Sequence, residues 1–315
     1  ADAVKKIHEI LNHPSDAVLG VIFDTGAIHG CPYTSRDVRI MRKIYGECEA
    51  CIKGKSVKPS TKLVKNRYLP FAPGEQLCID IFFITYRTRL GKIISCPFLR
   101  AVCGYCTHVS SVWLKSKTAY AVKDALFEVI KFYNVHDWVV KQVSCDREAV
   151  LAALEPVLLD TDPRISFDQR GTDQKQPEAE RSIRTSRDTL RTVKAACWFK
   201  PPQFLYPYVI DDIDYTWNHR PNSKTLNLSP ATLVTGIKLY FDQHIQTPIF
   251  MVGEFLNPRT KTMFKATPEE REQQKNEERT ARGIVIGQNY DPTGILKVYI
   301  IDSGTIVNRA KLKAP

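Results

Sequence analysis

A single acidic residue lies in the middle of a strongly apolar segment of this chain. Asp80 belongs to the run from Gln76 to Ile84, which is rich in isoleucine and phenylalanine and is typical of a buried β-strand. An ionised carboxylate in such a strand is costly unless its charge is paired or binds a metal ion. The fold must therefore bring Asp80 to partners that compensate its charge.

Two further acids complete a candidate catalytic set. Asp146 ends the short apolar run that begins at Val143, and Glu180 opens an arginine-rich stretch of helical character. Two strand carboxylates and one helix carboxylate can hold two divalent cations, which activate the attacking oxygen and stabilise the leaving oxygen in phosphoryl transfer. Asp80, Asp146 and Glu180 are therefore the predicted metal ligands and catalytic residues.

The segment around these acids predicts a mixed sheet with helices on both faces. A helical period runs from Tyr120 to Tyr133, and the segments typical of strands are 76–84, 93–105, 108–115, 141–146 and 164–167. The order β-β-β-α-β-α-β-α is that of an α/β fold. Sites in such sheets gather where strands end, which favours Asp146 as a ligand.

The third acid could be Glu178 or Glu180, because residues two apart point to different faces of a helix. We favour Glu180, since three arginines follow it at steps of four, three and four and share its face. Guanidinium groups match phosphate oxygens in geometry and charge, although a solvated amphipathic helix is the alternative. The predicted DNA contacts of this helix are Arg181, Arg184, Arg187, Arg191 and Lys194.

Two pairs of candidate metal ligands frame the first 58 residues. Four residues separate His8 from His13, two separate Cys48 from Cys51, and 34 lie between the pairs. Zinc binds four nitrogen or sulfur ligands tetrahedrally and cross-links distant segments. We therefore predict one structural zinc ion, with replacement of one histidine by the His29–Cys31 segment as the alternative.

Helices are predicted around these ligands, at 4–11 and from Ser35 to about Tyr45, with a loop between them. Val38, Met41 and Ile44 are expected to face inward in the second helix. The nine cysteines are scattered and lie partly in apolar runs, which indicates a reducing compartment rather than disulfides. Cys103 and Cys106 form another CxxC pair, but strand alternation predicts that they point in opposite directions as buried thiols.

Charge indicates a nucleic-acid partner. The 315 residues carry a net charge of +11, and proteins this basic are most often nucleic-acid binders. No apolar run reaches the roughly 18 residues of a membrane span, so no membrane partner is expected. Lys53, Lys55 and Lys65 lie in a basic linker that could follow DNA or be a solvated tether, and Arg309 and Lys311 near the end could reach phosphate.

The last 77 residues, 239–315, predict a small β-barrel. Short strands are expected at 249–256, 283–287, 295–301 and 305–307, separated by turn residues. Thr267 followed by Pro268 is a good helix start, so a charged helix is predicted at 267–282, with a disordered linker as the alternative.

Motifs spread over most of the chain resemble the integrases of retroviruses and LTR retrotransposons, and in detail those of copia-type elements. The segment 7–15, IHEILNHPS, is similar to their HxxLxHPS opening, and 48–55, CEACIKGK, is similar to their CxxCxxGK. The segment 179–185, AERSIRT, resembles their AERxxRT around the third acid. One departure is Arg147-Glu148 after the second acid, where the family usually has Asn-Gly.

The resemblance implies an RNase H-like core that binds two Mg²⁺ or Mn²⁺ ions through Asp80, Asp146 and Glu180. It also implies 3′-end processing and strand transfer of double-stranded element DNA into target DNA. A homo-oligomer, a tetramer or larger, is expected to act in the nucleus after assembly in cytoplasmic particles, with a host tethering protein as a further partner. A catalytically inactive DNA-binding or assembly protein, and a related DDE transposase or nuclease, are the alternatives.

These interpretations together predict an α/β protein with two small appended units. The predicted boundaries are a zinc-binding domain at 1–58, a basic linker at 59–72, an RNase H-like catalytic core at 73–238 and a β-barrel domain for DNA binding and assembly at 239–315.

Overall fold

The computed structural model describes residues 1–55, 70–88, 90–169, 177–225, 227–244, 247–256, 280–288 and 295–309. Within these ranges no helix combines the length and the apolar character needed to cross a membrane.

Residues 1–55 form helices packed around a small apolar core. The elements are α1 (Asp2–Ile10), α2 (Asp16–Asp24), the two-residue strand β1 (Ile28–His29), α3 (Ser35–Tyr45) and α4 (Glu49–Lys55). Helix α3 begins at a capping box, in which the backbone N–H of Thr34 donates to Asp37 at 2.9 Å. The two predicted helices are confirmed.

Two expectations for this unit are wrong. The predicted loop contains α2, which the Ser15 side chain caps by accepting a hydrogen bond from the backbone of Val18 at 3.4 Å. Leu19 of α2 is fully buried, so packing against the other helices stabilises this short helix. Ile44, expected to face inward, is 60% exposed, because α3 turns only Val38 and Met41 into the core.

A mixed sheet of five strands occupies the centre of the described chain. Its strands are β2 (Gln76–Arg87), β3 (Ile93–Cys103), β4 (Val109–Trp113), β5 (Gln142–Cys145) and β6 (Ser166–Gln169), in the order β4-β3-β2-β5-β6. β2, β3 and β4 form an antiparallel meander, whereas β5 and β6 run parallel to β2. This arrangement is the predicted RNase H-like fold.

Helices cover both faces of this sheet. They are α5 (Ala119–Val135), α6 (Ala149–Ala152), α7 (Glu155–Leu159), α8 (Pro177–Ala196), α9 (Ile210–Asn218) and α10 (Pro230–Thr235), with 3₁₀ turns at 203–209 and 223–225. On one face, Ile79 packs with Leu126 of α5. On the other face, Phe82 packs with Ile183 of α8 and Ile213 of α9. Alternation along β2 therefore directs Asp80 to the face that carries α8.

The rest of the described chain forms a small antiparallel β-sheet. After β7 (Leu239–Tyr240) and α11 (Phe241–His244) come β8 (Val252–Leu256), β9 (Thr280–Gln288), β10 (Leu296–Ile300) and β11 (Ile306–Arg309), in the order β11-β10-β9-β8. The predicted strands are confirmed. The predicted helix 267–282 is wrong at its end, because 280–282 belong to β9, and its first thirteen residues, 267–279, lie outside the described residues.

Polar contacts join these three parts of the chain. Asn12 donates from Nδ2 to Asp212 of α9 at 3.2 Å, and the backbone N–H of Gln288 donates to the same carboxylate at 3.0 Å. β1 also pairs in parallel with β7 through Ile28 and Leu239. Asp212 is therefore a junction between the helical unit, the core and the terminal sheet.

Candidate active site and metal centre

The register of the central sheet brings the first two acids side by side. β2 and β5 are parallel, and the last pair in their register is Ile79 with Cys145. The next residues along the two chains are Asp80 and Asp146. Alternation places the Asp80 carboxylate on the face opposite Ile79, and Asp146, the first residue after β5, is close enough that its charge acts on Asp80. Each is half-buried.

Helix α8 brings the third acid to the same face. Ala179 is fully buried against Cys78, which lies two residues before Asp80 on that face of β2. Glu180 follows Ala179 in the first turn of α8. The sheet and this helix therefore bring Glu180 and Asp146 near enough to Asp80 for their charges to act on it.

Electrostatics supports this convergence. Burial most of all, and then the negative charges of Asp146, Glu148 and Glu180, raise the pKa of Asp80 to about 6 against a lowering hydrogen bond from Ile81. That hydrogen bond, from the backbone N–H of Ile81 to Asp80 Oδ1, is 2.7 Å long. Clustered carboxylates that repel one another are a suitable set of hard oxygen donors for Mg²⁺ or Mn²⁺.

Sequence reasoning missed two acids beside this site. Glu148 donates its backbone N–H to the carbonyl of Asp146 at 2.8 Å, and its carboxylate forms an ion pair with Lys117. Asp168 of β6 is aligned with Ser144 of β5, whose Oγ lies 3.5 Å from the Asp168 carboxylate. The sequence signal for Glu148 was the pair Arg147-Glu148, which follows the second acid where the family usually has Asn-Gly. Asp168 had a weaker signal, because it followed the predicted end of its strand.

These acids also affect a neighbouring thiol. Burial first, and then the charges of Asp146, Asp168, Asp80 and Glu148, raise the pKa of Cys145 to about 12. Cys145 is therefore a neutral buried thiol at neutral pH and an unsuitable nucleophile. The chemistry available at this site is that of carboxylates.

The arginine-rich face of α8 is only partly as expected. Arg181, Arg184 and Arg187 are exposed, as contacts to phosphate require. Arg191 instead forms an ion pair with Asp188 one turn earlier. Its Nε also lies 3.5 Å from the carbonyl of Gly54 in α4.

The other predicted DNA contacts that the structure describes each have a partner within the chain. Lys194 Nζ lies over the ring of Tyr206, 4.5 Å from its centroid. Lys53 is exposed and pairs with Glu49, whereas Lys55 donates to the carbonyl of His13. Arg309 donates to the carbonyl of Asn308, and Lys65 and Lys311 lie outside the described residues.

The four predicted zinc ligands meet in one compact cluster. His8, His13, Cys48 and Cys51 place their ligand atoms within 4.8 Å of one another. His13 Nδ1 is 3.5 Å from Cys48 Sγ, and His8 Nε2 is 3.4 Å from Cys51 Sγ. Zinc bonds of about 2.0–2.3 Å in a tetrahedron place neighbouring nitrogen and sulfur ligands about 3.6 Å apart. The cluster therefore fits zinc, and among the described residues the acids form no comparably compact group.

The protonation states of His13 and Cys48 suit a metal, whereas the hydrogen bond with Cys48 and burial raise the pKa of Cys51, which zinc would have to deprotonate. Burial lowers the pKa of His13, so its imidazole is neutral. Hydrogen bonds from Cys51 and His13 lower the pKa of the Cys48 thiol. Neutral histidine and thiolate are the forms that bind zinc. His29 is exposed and Cys31 is half-buried, and neither belongs to the cluster, so the alternative ligand set is not formed.

Cys103 and Cys106 are buried thiols, as predicted, but they do not point in opposite directions. The chain turns at the end of β3, where Thr107 donates its N–H to the carbonyl of Cys103 at 2.9 Å. The two thiols are therefore hydrogen-bonded to each other. The error was to extend β3 to residue 105, since alternation applies only within the strand.

No family model matches the chain, and no curated protein matches it in sequence. Solved structures do resemble it. One is a simian T-cell lymphotropic virus intasome in complex with the PP2A regulatory subunit B56 gamma, where the match covers 98% of this chain and 95% of that chain at 13% identity, with a TM-score of 0.48.

Two smaller structures match the core. The HTLV-2 integrase catalytic core domain in complex with magnesium covers 52% of this chain and 98% of its own at 13% identity, with a TM-score of 0.39. The catalytic core domain of BIV integrase covers 52% and 95% at 13% identity, with a TM-score of 0.36. The fold assignment rests on the strand order and register above, and these likenesses do not assign an activity.

Proposed function

We propose that this chain is an integrase of the copia type, which processes the 3′ ends of element DNA and transfers them into target DNA. The observation that supports the proposal is the register of β2 and β5, whose last pair, Ile79 with Cys145, directly precedes Asp80 and Asp146. Glu180 in the first turn of α8 adds a third carboxylate, and its charge acts on Asp80.

The residues of the site have separate roles in this proposal. Asp80, Asp146 and Glu180 hold two Mg²⁺ or Mn²⁺ ions, and with these bound the site would activate an attacking oxygen and stabilise a leaving oxygen. Water is the attacking group in end processing, and a DNA 3′-hydroxyl is the attacking group in strand transfer. Exposed Arg181, Arg184 and Arg187 would bind the phosphates of the DNA beside the site.

The zinc cluster has a structural role in the proposal. Zinc would join the end of α1 to α4, and α4 packs on α8 through Gly54, which lies against Thr192. The metal is therefore two helices away from the catalytic acids, and it would stabilise the platform beneath α8 rather than take part in the chemistry.

We extend the proposal to the assembly. The active form would be a homo-oligomer, a tetramer or larger, on two DNA ends in the nucleus, with a host tethering protein as a further partner. The net charge of +11 supports binding to DNA that weakens steeply as salt rises.

The test is strand transfer of a labelled duplex into a plasmid in the presence of Mg²⁺. The duplex carries the ends of the parent element, or a branched mimic of the joined product. Glu180→Gln should abolish joining, although the variant should still bind DNA. Glu178→Gln is the matched control and should still join DNA. Loss of joining with Glu178→Gln, but not with Glu180→Gln, would mean that the other glutamate is the ligand.

The two other candidate functions give different results in the same assay. A nuclease would release DNA ends without joining them. A catalytically inactive DNA-binding or assembly protein would bind the duplex in a salt-sensitive manner and neither cut nor join it. Either result with the unaltered chain would overturn the integrase proposal.

A further inference from the structure

The largest fully buried side chain among the described residues is an arginine beside the candidate active site. Arg100 lies in β3, is 0% exposed, and faces Asp80 directly in the antiparallel register of β2 and β3. Facing residues of an antiparallel pair lie on the same face of the sheet. The guanidinium therefore enters the layer between the sheet and α8.

The guanidinium binds two helices at once. Its Nη1 donates to Asp214 Oδ1 of α9 at 2.5 Å, and its Nη2 donates to Ser186 Oγ of α8 at 2.6 Å. Its carbon Cζ lies 5.1 Å from the centroid of the Phe82 ring on the adjacent strand. One side chain thus joins β3, α8 and α9 and packs on β2.

This ion pair is a poor source of stability. Removing both charges from water costs more than their attraction returns unless every polar atom is satisfied. Arg100 Nε and Asp214 Oδ2 are buried and have no hydrogen-bond partner among the described residues. An apolar pair of similar volume often stabilises a fold at least as well as a buried ion pair. Stability therefore does not explain the presence of these buried charges, and the position of the network indicates a different role.

The network binds the helix that carries Glu180, at a point in the second half of its first ten residues. Ser186 lies six residues after Glu180 on α8, about 9 Å along the helix axis, and it is buried. Glu180 is half-buried in the first turn of α8. The bond between Arg100 and Ser186 is thus a polar tie between the helix that carries Glu180 and the sheet that carries Asp80.

We propose that Arg100 is a positioning residue, which acts through Ser186 to set the distance of Glu180 from Asp80 and Asp146 for metal binding. The inference rests on the proposed function, because it assumes that the three acids bind divalent cations. It gives Arg100 and Ser186 a role in the active site although neither is a predicted metal ligand or DNA contact.

The test measures Mn²⁺ binding to the zinc-loaded full chain without DNA, from the electron paramagnetic resonance of free Mn²⁺. Asp80→Asn identifies the binding that belongs to the acids. Ser186→Ala removes the tie to α8 and keeps the pair between Arg100 and Asp214. Ser182→Ala is the matched control, since it removes the same atom from a buried serine one turn earlier on α8.

Ser186→Ala should weaken Mn²⁺ binding at least about tenfold, the effect of losing a group that orients a ligand. Ser182→Ala should stay within about twofold of the unaltered chain, with similar thermal unfolding. Arg100→Lys keeps a charge near Asp214 but lacks the planar fork that binds two groups, so it should match Ser186→Ala. The Mg²⁺ concentration for half-maximal strand transfer should rise in parallel.

Two results would contradict the inference in distinguishable ways. If the unaltered chain binds Mn²⁺ through Asp80 and joins DNA, and Ser186→Ala and Arg100→Lys bind Mn²⁺ equally well, the positioning role is wrong and the proposed function stands. If the unaltered chain has no Mn²⁺ binding that depends on Asp80 and joins no DNA, the proposed function is wrong and the inference fails with it.

Discussion

The contact between α4 and α8 is close enough that adding one methyl group should separate the two helices. A Cβ at Gly54 would lie 2.0 Å from Thr192 Oγ1 and 2.8 Å from the Cα and backbone N of the same residue. Rotation of the threonine can relieve the first contact, but not the two with the backbone. Ordinary contact begins at 3.4 Å, so Gly54→Ala requires a displacement of at least about 0.6 Å.

The expected magnitude follows from two opposing effects. Overpacking costs about 1–3 kcal/mol, and a contact with backbone belongs at the upper end of that range. Alanine is better than glycine in a helix by about 1 kcal/mol. The net loss should therefore be about 2 kcal/mol, which corresponds to roughly thirtyfold faster exchange of the α4 amides through local opening.

Amide hydrogen exchange of the zinc-loaded chain measures this loss. Lys53→Ala is the control, because this neighbouring side chain is exposed and its loss should change local stability by less than about 0.5 kcal/mol. If Gly54→Ala leaves exchange of α4 unchanged or slows it, only the helix propensity of alanine is acting. The close approach of α4 to α8 would then be refuted.

Three further predictions concern the metal cluster and two acids. The Cys51→Ser variant should bind no zinc ion in metal analysis, and the amides of α4 should lose their protection from hydrogen exchange. A variant that keeps the ion would contradict the assignment of Cys51 as a ligand. Asp80→Asn should stabilise the metal-free chain by about 1–2 kcal/mol at pH 7, since it removes a half-buried charge repelled by its neighbours, and should abolish stabilisation by Mg²⁺ in thermal unfolding. Burial raises the pKa of Asp212 from 3.8 to about 6, so Asp212 binds a proton more tightly in the folded chain than in the unfolded chain. The stability that this proton contributes should be complete below pH 3.8 and lost as pH rises through 6. Urea unfolding at pH 4 and pH 7 should therefore give a smaller pH dependence for Asp212→Asn than for the unaltered chain.

The sequence predicted the elements of the core well because their signals are local. The apolar run around Asp80, the helical period from Tyr120 to Tyr133 and the pairs of histidines and cysteines are each visible in a short window. The structure confirms the corresponding elements and the order of strands and helices along the chain. The capping serine of α2 was equally local, and the helix was missed because its nine residues depend on packing for stability.

Features that depend on pairing between distant segments could not be predicted in the same way. The approach of Asp80 to Asp146 requires the register of β2 and β5, whose paired residues are 66 apart in the chain. The convergence of Cys103 and Cys106 depends on the residue at which β3 ends. The ion pair of Arg191 with Asp188 was within reach of the helical period, since the two residues are three apart.

The rule that a charge in an apolar strand needs a partner was applied to Asp80, but it applies equally to Arg100. The sequence around it, Phe98-Leu99-Arg100-Ala101-Val102, places a charge in an apolar strand just as the sequence around Asp80 does. Two opposite charges in two neighbouring strands suggest mutual pairing, and the register does place them face to face. The guanidinium instead binds Asp214 and Ser186. This choice of partners leaves the Asp80 carboxylate near Asp146, Glu148 and Glu180, whose negative charges act on it. A direct ion pair between Asp80 and Arg100 would compete with a metal ion for the Asp80 carboxylate, so the binding of Arg100 to Asp214 and Ser186 supports the proposed cation site.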